Sequence, residues 1–116
     1  YKKACLIREE INREFDAVFE KCDVLVAPTA PSTAFPLNCK RKSPVEMYLA
    51  DICTVPVNIA GVPAISVPCG EDANGLPIGM QIIGRRFGEV TVLQVAHFYE
   101  QNAGQIIGAY EGGARI

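Results

Sequence analysis

Apolar residues along this chain follow two rhythms. Ile7, Ile11, Phe15, Val18, Phe19 and Cys22 recur at helical spacing, while Arg8, Glu9, Glu10, Asn12, Arg13 and Glu14 mostly take the other face. One apolar stripe with no Gly or Pro inside it predicts an amphipathic helix from Lys2 to Lys21. After Asp23 the pattern changes to a short, β-branched, continuously apolar run that ends at Pro28. Such a run reads as a buried strand arriving from a helix, as in α/β folds.

Pro28, Pro31 and Pro36 fix the backbone and remove donors, so the stretch from Pro28 to Lys42 is predicted to be a loop. Lys40, Arg41 and Lys42 form a small basic cluster at its end, read as a solvated loop tip rather than a phosphate site. Ser43, Pro44 and Glu46 have the spacing of a capping box with proline at the first helical position. A helix is expected from there through Asp51, weakening near Thr54, with a second short turn from Pro56 through Asn58 that Gly61 stops. Ala64 to Pro68 reads as a second strand and Pro77 to Ile83 as a third, ended by Gly84. Between them Glu71 to Gly75 reads as a hairpin turn in which Asn74 and Gly75 both tolerate positive φ. Glu89 to Gln101 reads as a helix with Val90, Leu93, Val95, Ala96 and Tyr99 available to the sheet. The Gly-rich stretch from 102 to 116 has little periodicity and reads as a flexible tail. The expected class is α/β, with residues 1–116 forming one portion of a single domain.

Composition narrows the function classes. With 116 residues, 49% of them hydrophobic and 21% charged, the chain has the makeup of a folded soluble segment. A net charge of −2 disfavours nucleic-acid binding by this segment. No apolar run approaches the roughly 20 residues of a membrane span. Five cysteines without a C-x-x-C pair argue against a disulfide framework, and His97 is the single histidine, so a zinc site is not expected. Reduced thiols suit the cytosol or a similarly reducing compartment. Tyr1 opens directly into the helical pattern without an initiator Met, which reads as a cut from a longer protein.

The leading chemical candidate is Asp51, placed between Ala50 and Ile52 near the end of a short helix. Two readings are open from the residues alone. One is a solvent-facing helix residue. The other is a carboxylate that binds a substrate ammonium through a charge-assisted hydrogen bond. Asn58 is expected to hydrogen-bond loop backbone and stiffen the passage through Gly61 and Pro63. Ser66 sits mid-strand without a nucleophile elbow, so a structural role is expected. His97, beside Ala96 and Phe98, reads as structural or surface. Cys53 and Cys69 could line a pocket, but neither has an evident base to activate it. Neither Gly70-Glu71-Asp72 nor Gly84-Arg85-Arg86 has the spacing of a phosphate loop.

Three stretches carry a resemblance. They are Asp23-Val-Leu-Val-Ala-Pro-Thr-Ala-Pro31, the run from Met47-Tyr-Leu-Ala-Asp51 through Asn58 and Gly61 to Pro68, and Gly75-Leu-Pro-Ile-Gly-Met-Gln-Ile-Ile-Gly84. In this order, over about residues 1 to 102, they resemble the C-terminal part of amidase-signature enzymes, and within that family the glutaminase subunits of tRNA-dependent amidotransferases. The resemblance implies a mixed sheet covered by helices. It also implies a parent enzyme that hydrolyses glutamine at a Ser–cis-Ser–Lys triad and passes ammonia to a second subunit, where a phosphorylated glutamyl-tRNA accepts it. Implied partners are glutamine, the B- and C-type subunits of a heterotrimer, and tRNA reached through the complex. ATP and Mg would be used by the partner subunit, with no cofactor in this segment. No Gly-Gly-Ser-Ser run or matching Lys is present, so this chain alone is expected to be inactive, without a catalytic residue. The family's ammonium-binding Asp in the Met-Tyr-x-x-Asp stretch matches Asp51, which favours the second reading of that residue. A segment of a stand-alone amidase for other small amides, and a non-catalytic interaction module, are the alternatives.

Overall fold

In a computed structural model of the chain, residues 1–37 and 43–103 are described. The basic cluster at Lys40–Lys42 and nearly all of the expected tail lie outside the described residues.

Lys2–Phe19 forms helix α1, Val24–Pro28 strand β1, Pro44–Ala50 helix α2 and Val55–Ala60 helix α3. Ala64–Glu71 forms strand β2, Pro77–Gly84 strand β3 and Glu89–Asn102 helix α4. The element order is the one the apolar rhythms predict. The strands make one three-stranded sheet in the order β1-β3-β2, and both pairings are antiparallel. The mixture of helices and sheet is as expected. A fully buried β1 is not found: it is an edge strand, and Val26 is 59% exposed.

The central strand explains the layering. Side chains alternate faces along a strand, so Ile82 and Ile83 look in opposite directions. Ile82, with Val67, packs under Val92 and Ala96 of α4. Ile83 packs with Phe19 of α1 and Val57 of α3 on the other face, with Phe15, Cys22, Leu25 and Val62 around them. Gln81 and Gly79 share that second face by the same alternation. The sheet therefore has α4 on one side and α1 with α3 on the other, and a cleft opens on the second side.

Three local expectations are corrected. On α4, Val90 and Leu93 are exposed and Val92 turns inward in their place, while Ala96 is buried and Val95 and Tyr99 pack against the sheet as expected. The α1 stripe is buried chiefly at its C-terminal end, where Phe19 sits in the core and Phe15 stacks on it with ring centroids 6.2 Å apart; Ile7 and Val18 remain exposed. The hairpin turn is not a two-residue Asn-Gly turn. Only Gly75 has positive φ, at 75°, and Asp72 organises the turn by accepting the backbone N–H groups of Asn74 and Leu76 on Oδ1. A carboxylate that bridges two amides replaces the backbone geometry expected of Asn74.

Candidate functional site

A cleft of about 610 Å³ lies between the loop at residues 28–35, the end of α2 at Ala50 and Asp51, and the start of β3 at Pro77, Ile78 and Gly79. Each wall has an identifiable anchor.

The loop wall continues β1. Thr29 N–H donates to Gly79 O at 2.9 Å, which extends the ladder one bond past Pro28. Thr29 Oγ1 and Ser66 Oγ share a 2.6 Å hydrogen bond across β3. Farther along, Thr33 Oγ1 donates to Asp72 Oδ2 at 2.7 Å, tying the loop to the β2–β3 turn. Asp72 is held below the ordinary carboxylate range, first by the Leu76 amide, then by the Thr33 hydroxyl, with Asn74 adding to them and burial opposing.

The Asp51 wall is built by helix termination. Ser43 caps α2 by accepting the Glu46 N–H at 3.2 Å, and Pro44 occupies the first turn as expected. The helix stops at Asp51 (φ −100°, ψ 4°), whose N–H donates to Tyr48 O. Its carbonyl accepts from Thr54 N, Val55 N and Thr54 Oγ1 at 3.0, 3.0 and 3.3 Å. The Asp51 backbone is therefore fixed. Among the described residues, nothing donates a hydrogen bond to its carboxylate and no cation pairs with it. A fixed backbone with an unpaired acid on a largely apolar cleft wall is an arrangement that can receive a cationic amine.

The other sequence candidates go elsewhere. Ser66 is mid-strand and its hydroxyl is engaged with Thr29; His97 is exposed on α4. Cys5, Cys22, Cys53 and Cys69 are free thiols, while Cys39 lies outside the described residues. Asn58 does not brace the loop as expected: its Nδ2 donates back to Thr54 O within α3 at 2.9 Å, and Gly61 makes the exit by adopting φ 66°. Among the described residues no group of three or more His, Cys, Asp or Glu could hold a metal ion, and no described helix is long and apolar enough to cross a membrane.

Sequence reasoning missed Thr29, Thr33, Asp72 and Gln81. Gln81 is 4% exposed, and its Nε2 donates to Pro28 O at 2.9 Å and Cys53 O at 2.8 Å. A lone polar residue inside the apolar run of β3 was the available signal, because buried polar groups need partners.

Known proteins show the same arrangement of sequence and fold. The chain is 61% identical over 104 residues to the A-type subunit of glutamyl-tRNA(Gln) amidotransferase from Brevibacillus brevis, covering 90% of this chain and 21% of that protein. It is 60% identical over 103 residues to the protein of that name from a Synechococcus species, covering 89% of this chain and 21% of that one. The crystal structure of the protein of the same name from Thermotoga maritima superposes with a TM-score of 0.83 at 44% identity, over 89% of this chain and 22% of that one. A solved amidase superposes with a TM-score of 0.76 at 27% identity, over 90% of this chain and 25% of that one. The chain thus spans about 21% of the length of the curated relatives it matches. A family model described as Amidase matches residues 1–93, and the chain belongs to that family.

Proposed function

We propose that this chain is the C-terminal part of the glutamine-hydrolysing subunit of a tRNA-dependent amidotransferase, and that Asp51 binds the α-ammonium of glutamine. The observation that supports the role most directly is the Asp51 carboxylate: it lines the cleft, is unpaired among the described residues, and is carried on a backbone that four hydrogen bonds hold in place. Glutamine presents one cation, and a carboxylate is the side chain that both attracts it and accepts its hydrogens. Relatives at about 60% identity bear the name of an amidotransferase component, which supports this reading over a stand-alone amidase.

In this reading Asp51 orients glutamine and does not react with it. The nucleophile and its base come from the remainder of the parent protein. Among the described residues, the one serine on the described strands, Ser66, spends its hydroxyl on Thr29. Ammonia released at the triad passes to a partner subunit, where ATP and Mg activate the glutamyl-tRNA; tRNA is reached through the complex, which works in the cytosol. This chain's own contribution is the wall that fixes the substrate's amino end, so that the amide end meets the triad in register.

The test is glutamine kinetics of the complete subunit with its partners. Asp51→Ala removes acceptor and charge; Asp51→Asn removes the charge alone. Asp51 is exposed in this chain; where glutamine and the remainder of the parent protein cover it, losing a charged hydrogen bond costs about 1.5–3 kcal/mol, a roughly 10- to 150-fold rise in glutamine KM. A fully solvated pair would cost under about 1 kcal/mol. Normal glutamine use by both variants would refute the assignment.

A further inference from the structure

Asp51 has a fixed backbone, yet α2, the helix that carries it, has no buried residue. Apolar packing of α2 within the described chain therefore does not explain why Asp51 stays at the cleft. The turn just beyond it does have an anchor. Gln81 sits on β3, on the same face as the cleft, and is almost wholly covered. Its side-chain nitrogen carries two hydrogens and has two carbonyl acceptors, Pro28 O at 2.9 Å and Cys53 O at 2.8 Å. Because both neighbours are carbonyl oxygens, the amide orientation follows from the contacts.

The two acceptors belong to the two walls. Pro28 lines the cleft where the loop leaves β1, and Cys53 lies two residues past Asp51. One carboxamide on the central strand thus brackets both walls, while Gln81 itself does not line the cleft. A glutamate here could not donate when ionised, a lysine would bury a charge, and an apolar residue would leave two carbonyls without their donor.

We propose that Gln81 is a positioning residue for ammonium recognition: it sets the distance between Asp51 and the loop at 28–35, and so sets the selectivity of the cleft for amides that carry an α-amino group. This rests on the assignment of Asp51 made above.

The experiment compares two substrates in the complete subunit with its partners: glutamine, and 4-carbamoylbutanoate, which is glutamine without its amino group. Gln81→Met removes both donors while keeping length and flexibility, and Gln81→Glu keeps the shape but, protonated by burial between two carbonyl oxygens, can donate to only one of them. The expected result is a roughly tenfold higher KM for glutamine, with kcat within about twofold and a change of less than about threefold in kcat/KM for the analogue. In an Asp51→Ala background, Gln81→Met should add nothing to the glutamine KM. A parallel loss on both substrates, or no loss on either, overturns the proposal; so does failure of both variants to fold, which would make Gln81 a residue of the fold alone. If Asp51→Ala fails to separate glutamine from the analogue, the Asp51 assignment falls and takes this one with it. If Asp51→Ala separates them and the Gln81 variants do not, only the role of Gln81 is lost.

Discussion

Gly79 forms the floor of the cleft directly beneath the Thr29–Ser66 hydroxyl bridge, and adding one carbon there gives a sharp test of how that floor is built. A Cβ at Gly79 would lie 3.0 Å from Thr29 Oγ1, 3.1 Å from Ser66 Oγ and 3.1 Å from Thr29 Cβ. These contacts are tighter than normal but not impossible, so the neighbours must yield by a few tenths of an ångström. The Thr29 backbone is not free to yield, because its N–H donates to Gly79 O itself at 2.9 Å. The hydroxyls are the soft part, and the 2.6 Å bond between them is what breaks. Its loss is worth about 0.5–1.5 kcal/mol. Residual crowding against Thr29 Cβ brings Gly79→Ala toward the lower end of the overpacking range, about 1–2 kcal/mol in all. Native-state hydrogen exchange at the Thr29 amide reads this locally, and one to two kcal/mol corresponds to about 5- to 30-fold faster exchange. The decisive comparison is with Ser66→Ala, which removes the same bond and also one of the obstructing atoms. Once Ser66 is alanine the bond cannot be lost again, so the double variant should cost less than the sum of the singles by about 0.5–1.5 kcal/mol. Strict additivity would show that Gly79 and the hydroxyl bridge are not coupled, and the account of the cleft floor would be wrong.

Two further outcomes follow from local geometry. Asp72 has a folded pKa below its ordinary value of 3.8, held there first by the Leu76 amide and then by Thr33, so the turn's support is fully present above that value and disappears as pH falls through the lowered one. Exchange protection at Asn74 and Leu76 should therefore persist below pH 3.8 and vanish only under stronger acid, whereas Asp72→Ala should lack it at every pH; loss of protection above 3.8 in the parent would contradict this. Gly61 ends α3 at φ 66° with only an ordinary 3.6 Å contact awaiting a Cβ, so Gly61→Ala should destabilise through backbone conformation alone, by about 1–2 kcal/mol in a denaturant titration, and Gly61→Asn by less.

Much of the fold was legible because its signals are local. The helix at α1, the cap at Ser43, the stop at Gly61 and the three strand segments each follow from a few neighbouring residues. What was not legible depends on residues far apart in the chain. Nothing near Asn74 reveals that Asp72 will organise the turn and also take the Thr33 hydroxyl, 39 positions away. Asp51 could be singled out from its motif, but the Gln81 bonds to Pro28 and Cys53 span 53 and 28 positions. The register of α4 is not legible for a related reason: Val90, Val92 and Leu93 are all apolar, and only the sheet beneath them decides that Val92 turns inward.

The register of β3 links all these features. Gly79, Gln81 and Ile83 are two apart, so they share one face and do three different jobs along it. Gly79 leaves room beneath the hydroxyl bridge, Gln81 brackets the cleft walls, and Ile83 closes the core against Phe19 and Val57. Ile82 looks the other way and fixes that choice by burying against Val92 and Ala96. A slip of one residue would place Gln81 under α4 without its carbonyl partners and turn Ile82 toward the cleft, losing apolar burial and hydrogen bonds together. Antiparallel partners on both sides of β3 oppose that slip, with Ala27 and Ser66 both opposite Gln81. The cleft therefore takes its geometry from the best-buried strand, while Asp51, the acid proposed above to meet the substrate, sits at the end of a helix with no buried residue.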